Sequence, residues 1–529
     1  MGGTAGCVLA NRLSREDNQV LVLEAGTQIA EDVWESRIPG LNSQLKDSTA
    51  DWALKTTPQS NAHNRTLDIP LGKLLGGCSG INAMVWHQCS PDDYNDWHVP
   101  GWSYNDLEPY FRKAETMTDN QGDTAIHGTE GPMKVTHQSI KADQLGEAFR
   151  QACMERGLPA YRDITGRPEQ IGVSELQASI WDGRRFPSSK GYLSASDAMA
   201  RPKLEIGLGC HVARIVFQDK RACKVVFEQD QSTYEAYVRE EIVLCAGAIH
   251  SPHLLMRSGI GPAEDLEAHQ IPLVHDLPGV GKNLTNHWRV PLVHETKPSY
   301  SLHRSLFSTE IAPYTYYDAW AHGKGALTRI WPDAVAYFRL PDVPDTGRSK
   351  GTPQFELFAG GLALCHLLPQ LKEVDCATLL LVLLTPFSRG SVKLGPGESV
   401  VVDPCLLKDE RDLECLEKAV EYSLSIAENK HYRPSVQRWI LAPDSLGIRD
   451  YVREHAESIH HYAGTCKMGD SRHPDPMMVV DEELRVVGLR KLRVMDASIF
   501  PTLPAGQICF PVIACAERAA DLILKTKSG

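Results

Sequence analysis

The sequence predicts an α/β chain of two lobes, one of them built on a doubly wound sheet, and three observations carry that prediction. The chain has 529 residues, enough for one large α/β domain and a second unit. It opens on a glycine-rich turn, followed by a small-residue helical stretch and an apolar run that ends in an acid. Residues from about 291 to 454 then change character, mixing strand-like apolar runs with helical stretches.

Gly3 and Gly6 fit the second and third glycines of a G-x-G-x-x-G turn, where missing β-carbons let backbone N–H groups approach a pyrophosphate at a helix N-terminus. The helix is expected over Thr4–Leu13, packing through Ala5, Gly6 and Ala10, with a buried parallel strand over Val20–Leu23. Glu24 lies 24 − 6 = 18 positions past Gly6, close to the ~20 expected of a carboxylate that accepts ribose hydroxyls. Met1 stands at the place of the first glycine, so the first, central strand of the sheet is expected to be missing.

Gly72 to Trp86 is glycine-rich again, with Gly76 and Gly77 beside Ser79, a pattern that lets backbone lie against a flat or phosphorylated ligand. Asp119 to Pro132 has no apolar periodicity and reads as a long loop of the kind that serves as a lid. Leu204–Phe217 and Ala236–Cys245 read as strands, and Ala246-Gly247 feeds a short helix that stops at Gly259. In the second lobe, Leu379–Leu384 reads as a strand and Leu413–Asn429 as a helix. Leu492–Val494 is another strand running into a carboxylate, Asp496, and a final helix is expected from about Pro511 to Lys525.

A charge of 55 − 67 = −12 without basic runs excludes a nucleic-acid surface. The most apolar run falls far short of the ~20 residues needed to cross a bilayer. Fourteen cysteines without C-x-x-C pairs or zinc spacing predict buried, reduced thiols and no metal site. No signal peptide is visible, and compartment and oligomeric state stay open.

Taken together, these stretches resemble the glucose–methanol–choline (GMC) family of FAD-dependent oxidoreductases, most of all its aryl-alcohol oxidase and choline dehydrogenase-like members. Gly247–Gly261 fits the family's second signature and Gly72–Trp86 resembles its first. The Leu277–Leu284 turn, His461-x-x-Gly464-Thr465 and Asp496-Ala497-Ser498 follow in family order. The resemblance implies an FAD-binding domain made of residues 1–145, 195–290 and 455–529. A substrate-binding lobe of 146–194 and 291–454, built on an antiparallel sheet, would complete it.

By the same resemblance, Gly3, Gly6 and Glu24 would hold the ADP half of FAD, and Val212 would meet the adenine. Gly77 and the run Asn82, Ala83, Met84 and Val85 would pass the isoalloxazine, with Asp496 near the pyrophosphate and ribityl chain. His461 would take the hydroxyl proton of a primary or secondary alcohol, aromatic alcohols included, while hydride passes to flavin N5. Oxygen or another acceptor would then remove the electrons. The family's second catalytic position, usually His or Asn, is Gln507 here; its amide can donate to a substrate oxygen but cannot act as a base. The family also contains hydroxynitrile lyases and a polyketide cyclase, so a non-redox reaction on the same scaffold is the alternative. An inactive chain lacking the first strand is a further one.

Overall fold

In a computed structural model, residues 1–15, 18–119, 126–138, 144–362, 371, 374–445 and 447–528 are described. The first helix spans Thr4–Leu13, with Gly3 at its N-cap. The strand Val20–Leu23 follows and pairs in parallel with Leu204–Gly207. A second parallel pair joins Ile242–Leu244 to Leu492–Val494. Among the described residues no strand connects the two pairs. The Gly3 turn lies beside both: Glu24 accepts from Gly2 N–H at 2.9 Å, and a β-carbon on Gly6 would sit 3.5 Å from Cys245 Cβ.

Two expected strands each divide. Leu204–Phe217 becomes Leu204–Gly207 and His211–Gln218, because Gly209 turns the chain at φ +69°. Ala236–Cys245 becomes the end of Ser232–Tyr237 and Ile242–Leu244, parted by the charged residues Arg239, Glu240 and Glu241. His211–Gln218, Arg221–Gln229 and Ser232–Tyr237 form an antiparallel meander.

The last helix, Cys509–Ser528, begins ahead of the expected Pro511. Proline is tolerated there because N–H groups of a first turn have no intrahelical partner. This helix is clamped to the first one by a buried ion pair. Arg12 Nη2 and Nε reach Glu517 Oε1 and Oε2 at 2.6 and 2.8 Å, and Tyr192 donates to the same carboxylate at 2.8 Å.

The other lobe is an eight-stranded sheet. Its order is Arg438–Leu441, Trp288–Glu295, Cys376–Leu383, Phe355–Gly360, Ala334–Phe338, Gly172–Ser174 and Ala160–Tyr161, with Glu457–Ser458 beside the start of Trp288–Glu295. All pairings are antiparallel except the last two strands of that order. Alternation along Phe355–Gly360 sends Phe355, Leu357 and Ala359 to one face, where they join Phe149, Leu413 and Leu416 of the helices Gln144–Glu155 and Glu410–Ala427. Phe358 points the other way and packs in one cluster with Met84, Val85 and Ala505, which come from outside this sheet.

Of the expected lid, residues 120–125 lie outside the described residues. The part that is described is pinned. His127 is buried, with Nδ1 2.7 Å from Glu115 and Nε2 2.6 Å from Asp163.

Candidate active site

One cavity of about 750 Å³ runs from the Gly3 turn, past Gly247–His250, to His461 and Gln507. It is lined by Gly3, Glu24, Gly77, Asn82, Ala83, Met84, Val85, Val212, Asp496, His461 and Gln507, eleven of the twelve expected site residues. Gly6 is set back from it, its missing β-carbon leaving room for the Met1 carbonyl and Cys245.

The first helix presents its N-terminus to this cavity through Gly3, Thr4 and Ala5, without a side-chain cap and without an acid in its first turn. Unpaired N–H groups and the helix dipole suit a phosphate there. Gly77, at φ +52°, lies so close that a β-carbon would come within 2.7 Å of Gly3 Cα. The two glycine-rich stretches thus meet backbone to backbone at the cavity wall. Glu24 accepts from Gly2 N–H and Gly26 N–H at 2.9 Å each and from the Met1 ammonium at 3.2 Å. With about four lone-pair sites, a carboxylate so held still has room for a hydroxyl. Asp496 is bound by Gly247 N–H at 2.9 Å, Ser251 Oγ at 2.6 Å and Ser498 N–H at 2.8 Å, which ties the last parallel strand to the start of the helix Gly247–Arg257. Val212 sits where a bulge shifts the register of its strand.

Asn82 Oδ1 accepts from Met84 N–H at 3.0 Å and from Arg185 Nη1 at 2.8 Å, and Met84 is held at φ +62°. Arg185 is buried, hydrogen-bonded to the Ser36 and Ser79 carbonyls, with no carboxylate in ion-pairing distance among the described residues. Burial pushes its guanidinium down to about 9. Sequence reasoning missed it, since an arginine between turns carries no periodic signal.

At the other end, the His461 backbone N–H donates to Asn286 Oδ1 at 2.8 Å, and Nδ1 lies 2.9 Å from Nδ1 of fully buried His287. Nδ1 is therefore occupied, and Nε2 is the ring atom left for the cavity. Burial pushes the His287 imidazole well below its ordinary value, so this ring is neutral too, and its Nε2 is buried with no hydrogen-bond partner among the described residues. A proton on His287 Nε2 leaves its Nδ1 to accept from His461, which gives His461 an Nε2 lone pair. Burial pushes the His461 imidazole down to about 3, so it stays neutral at ordinary pH.

Gln507 does not stand free. Its Nε2 lies 2.9 Å from both oxygens of Glu356, and its Oε1 is buried with no hydrogen-bond partner among the described residues. Neither Glu356 nor His287 was singled out from the sequence. His460 shares the cavity wall at φ +68°. Trp331, Phe358, Leu380, Leu306 and Phe307 make the far end apolar. Of the charged residues on the wall, Arg289 pairs with Glu457 at 3.0 Å and Lys46 with Asp68 at 2.5 Å, while Arg65 is held by the backbone carbonyls of Arg453 and Ala456 at 3.0 and 2.7 Å. No group of residues suited to a metal occurs among the described residues, nor does any helix long and apolar enough to cross a membrane.

A nucleotide-type cradle opening onto a histidine and an amide beneath an antiparallel sheet defines the class: a two-domain flavin oxidoreductase. Models of the GMC oxidoreductase family match residues 1–289 and 386–516, and the chain belongs to that family. Mitochondrial choline dehydrogenase of Mus musculus is 33% identical over 555 residues, covering 98% of this chain and 88% of the relative. Pyridoxine 4-oxidase of Mesorbium loti superposes with a TM-score of 0.85 at 29% identity, covering 98% of this chain and 97% of its own. Formate oxidase of Aspergillus oryzae reaches a TM-score of 0.92 at 24% identity, over 100% of this chain and 97% of its own, and shows the shared fold alone. The protein is an FAD-dependent oxidoreductase of CH–OH donors.

Proposed function

We propose that this enzyme oxidises a neutral primary or secondary alcohol with an aromatic or apolar body, with His461 as the base. The observation that carries the reading is the His461–His287 contact at 2.9 Å, which supports an Nε2 lone pair at the cavity. That lone pair takes the hydroxyl proton as the C=O bond forms. Gly3, Glu24, Gly77 and the Asn82–Val85 turn would hold FAD, which when bound would supply the acceptor for the hydride that leaves carbon with the C–H electron pair. Gln507 orients the substrate oxygen. Trp331, Phe358 and Leu380 give an apolar wall that keeps water from the reacting carbon.

The relatives' names point to choline, but the wall favours a neutral substrate. A quaternary ammonium is met by aromatic faces, and the wall carboxylates Glu457 and Asp68 are each already paired with a cation, while Glu356, which has no cation among the described residues, is turned to the Gln507 amide. Anaerobic mixing of the holoenzyme with benzyl alcohol and with choline tests this. Benzyl alcohol is expected to bleach the oxidised flavin absorbance faster. Faster bleaching by choline overturns the substrate assignment, and no bleaching by either overturns the reading.

A further inference from the structure

Glu356 lies in the middle of the strand Phe355–Gly360 and is wholly inaccessible to solvent. Both of its oxygens meet Gln507 Nε2 at 2.9 Å, and Tyr337, its partner across the neighbouring strand, hydrogen-bonds it as well. No lysine, arginine or histidine comes within ion-pairing distance of it among the described residues. The other neighbouring strand, Cys376–Leu383, offers only Val382. On the third side, the His87 ring stacks on Tyr337 at 5.0 Å, and Cys89 Sγ donates to the Gln507 backbone carbonyl at 3.8 Å. Beyond them Asp93 closes on Arg348 at 2.5 Å. A buried carboxyl without a cation costs stability, and among the described residues its side-chain partners are a tyrosine and an amide that lines the cavity.

The amide has two chemically opposite ends. An ionised carboxyl only accepts hydrogen bonds, so it holds the NH2 group and turns the Gln507 carbonyl away from itself. A carbonyl facing an alcohol oxygen that is losing its proton repels the developing charge. A protonated carboxyl has an O–H to give. It donates to Gln507 Oε1, the atom now unpartnered, and frees the NH2 group to face the substrate oxygen. Resting on the reading of Gln507 as the group that orients this oxygen, we propose that Glu356 is a positioning residue: its protonation decides which end of the Gln507 amide faces the substrate, and only the protonated form supports fast oxidation.

Burial pushes Glu356 up to about 7, within the range where the enzyme can be assayed. Among the facing groups, His87 is held down to about 4, while Cys89 and Tyr337 are pushed well above their ordinary values. His461, across the cavity, is held down to about 3. Asp93 is the one neighbour pushed into the same region, to about 6, and it bonds Arg348 and the backbone N–H groups of Ser90 and Ala505 rather than Gln507 or Glu356.

The test is anaerobic stopped-flow reduction of the holoenzyme by saturating alcohol from pH 5.5 to 9, paired with infrared titration of the carboxylic acid C=O stretch. The wild-type rate is expected to fall about tenfold per pH unit above a midpoint near neutrality. Glu356→Gln, which stays neutral, should lose that limb, and Tyr337→Phe, which removes a bond to the carboxylate, should move the midpoint to higher pH. The infrared band should vanish with the wild-type midpoint and be missing in E356Q. A limb that persists unchanged in E356Q, or the lack of any carboxyl band titrating near neutrality, overturns the proposal. If alcohol reduces no variant at any pH, the alcohol reading fails, and the infrared titration still decides the Glu356 switch.

Discussion

Replacing His287 with phenylalanine tests the tautomer that the base role requires. The aromatic ring survives, and with it the edge-to-face contact with His461 at 5.1 Å. What disappears is the nitrogen 2.9 Å from His461 Nδ1. His461 then faces two states: it leaves a buried Nδ1–H unpaired, or it moves the proton to Nε2 and loses the lone pair that takes the substrate proton. Leaving a buried donor unpaired costs about 1–3 kcal/mol. At 1.36 kcal/mol per tenfold in rate, the base-competent state becomes roughly 5- to 150-fold rarer. Anaerobic flavin reduction by alcohol should slow by that factor, with flavin content unchanged. A variant that reduces within about twofold of wild type refutes the tautomer argument, since it cannot absorb a loss of 1 kcal/mol.

His461→Ala removes the proposed base and should slow flavin reduction roughly a hundredfold or more, and an unchanged rate would reassign the base. Gly77→Ala places a β-carbon 2.7 Å from Gly3 Cα; the flavin-to-protein absorbance ratio after dialysis should show retention weakened by roughly tenfold, the equivalent of about 1.4 kcal/mol of displacement. Arg12→Met strands the buried Glu517 carboxylate. Urea unfolding should register a loss of about 3 kcal/mol, the lower end for a broken buried pair, because Lys113 Nζ stays 3.2 Å away. Buried His87, His294 and His303 are each held down to about 4. The unfolded chain therefore takes up protons first as pH falls below about 6.5, and each costs up to ~1.4 kcal/mol per pH unit until pH about 4. His127, pushed up to about 10, keeps nearly its full contribution below about 6.5, whereas Glu356 and Asp93, pushed up to about 7 and about 6, take up protons first in the folded chain and offset part of the loss. Tm should therefore drop between pH 7 and 5, and a flat Tm would contradict neutral burial of these rings.

The fold was legible where the chain repeats a local physical pattern. Thr4–Leu13 and Val20–Leu23 follow from small residues after glycine and from four consecutive aliphatics before Glu24, and the structure has these same bounds. The readings that failed were of continuity. Leu204–Phe217 alternates well enough for one strand, but Gly209 supplies a left-handed turn that alternation does not register. The same limit governs the second lobe. Cys376–Leu383 announces a buried strand by being apolar throughout, whereas its neighbours Trp288–Glu295 and Phe355–Gly360 come from 88 and 21 residues earlier, and no local pattern encodes that register.

The active site divides along the same line. His461 and Gln507 stand in motifs, where a glycine-bound turn fixes the neighbours of the reacting group. The residues that set their chemistry stand in none. His287 sits 174 positions from the ring it hydrogen-bonds, and Glu356 sits 151 positions from the amide it holds. In sequence, Gln354-Phe355-Glu356-Leu357 alternates polar and apolar, and nothing local says that its polar side is covered. Only when both sides of the sheet are covered does Glu356 become a buried acid without a cation, facing the amide that replaces the family's usual His or Asn. The exchange at Gln507 cannot then be judged by the length of its side chain alone. A histidine or asparagine can present its donor from the residue itself, while Gln507 has that donor only when Glu356 lets it go.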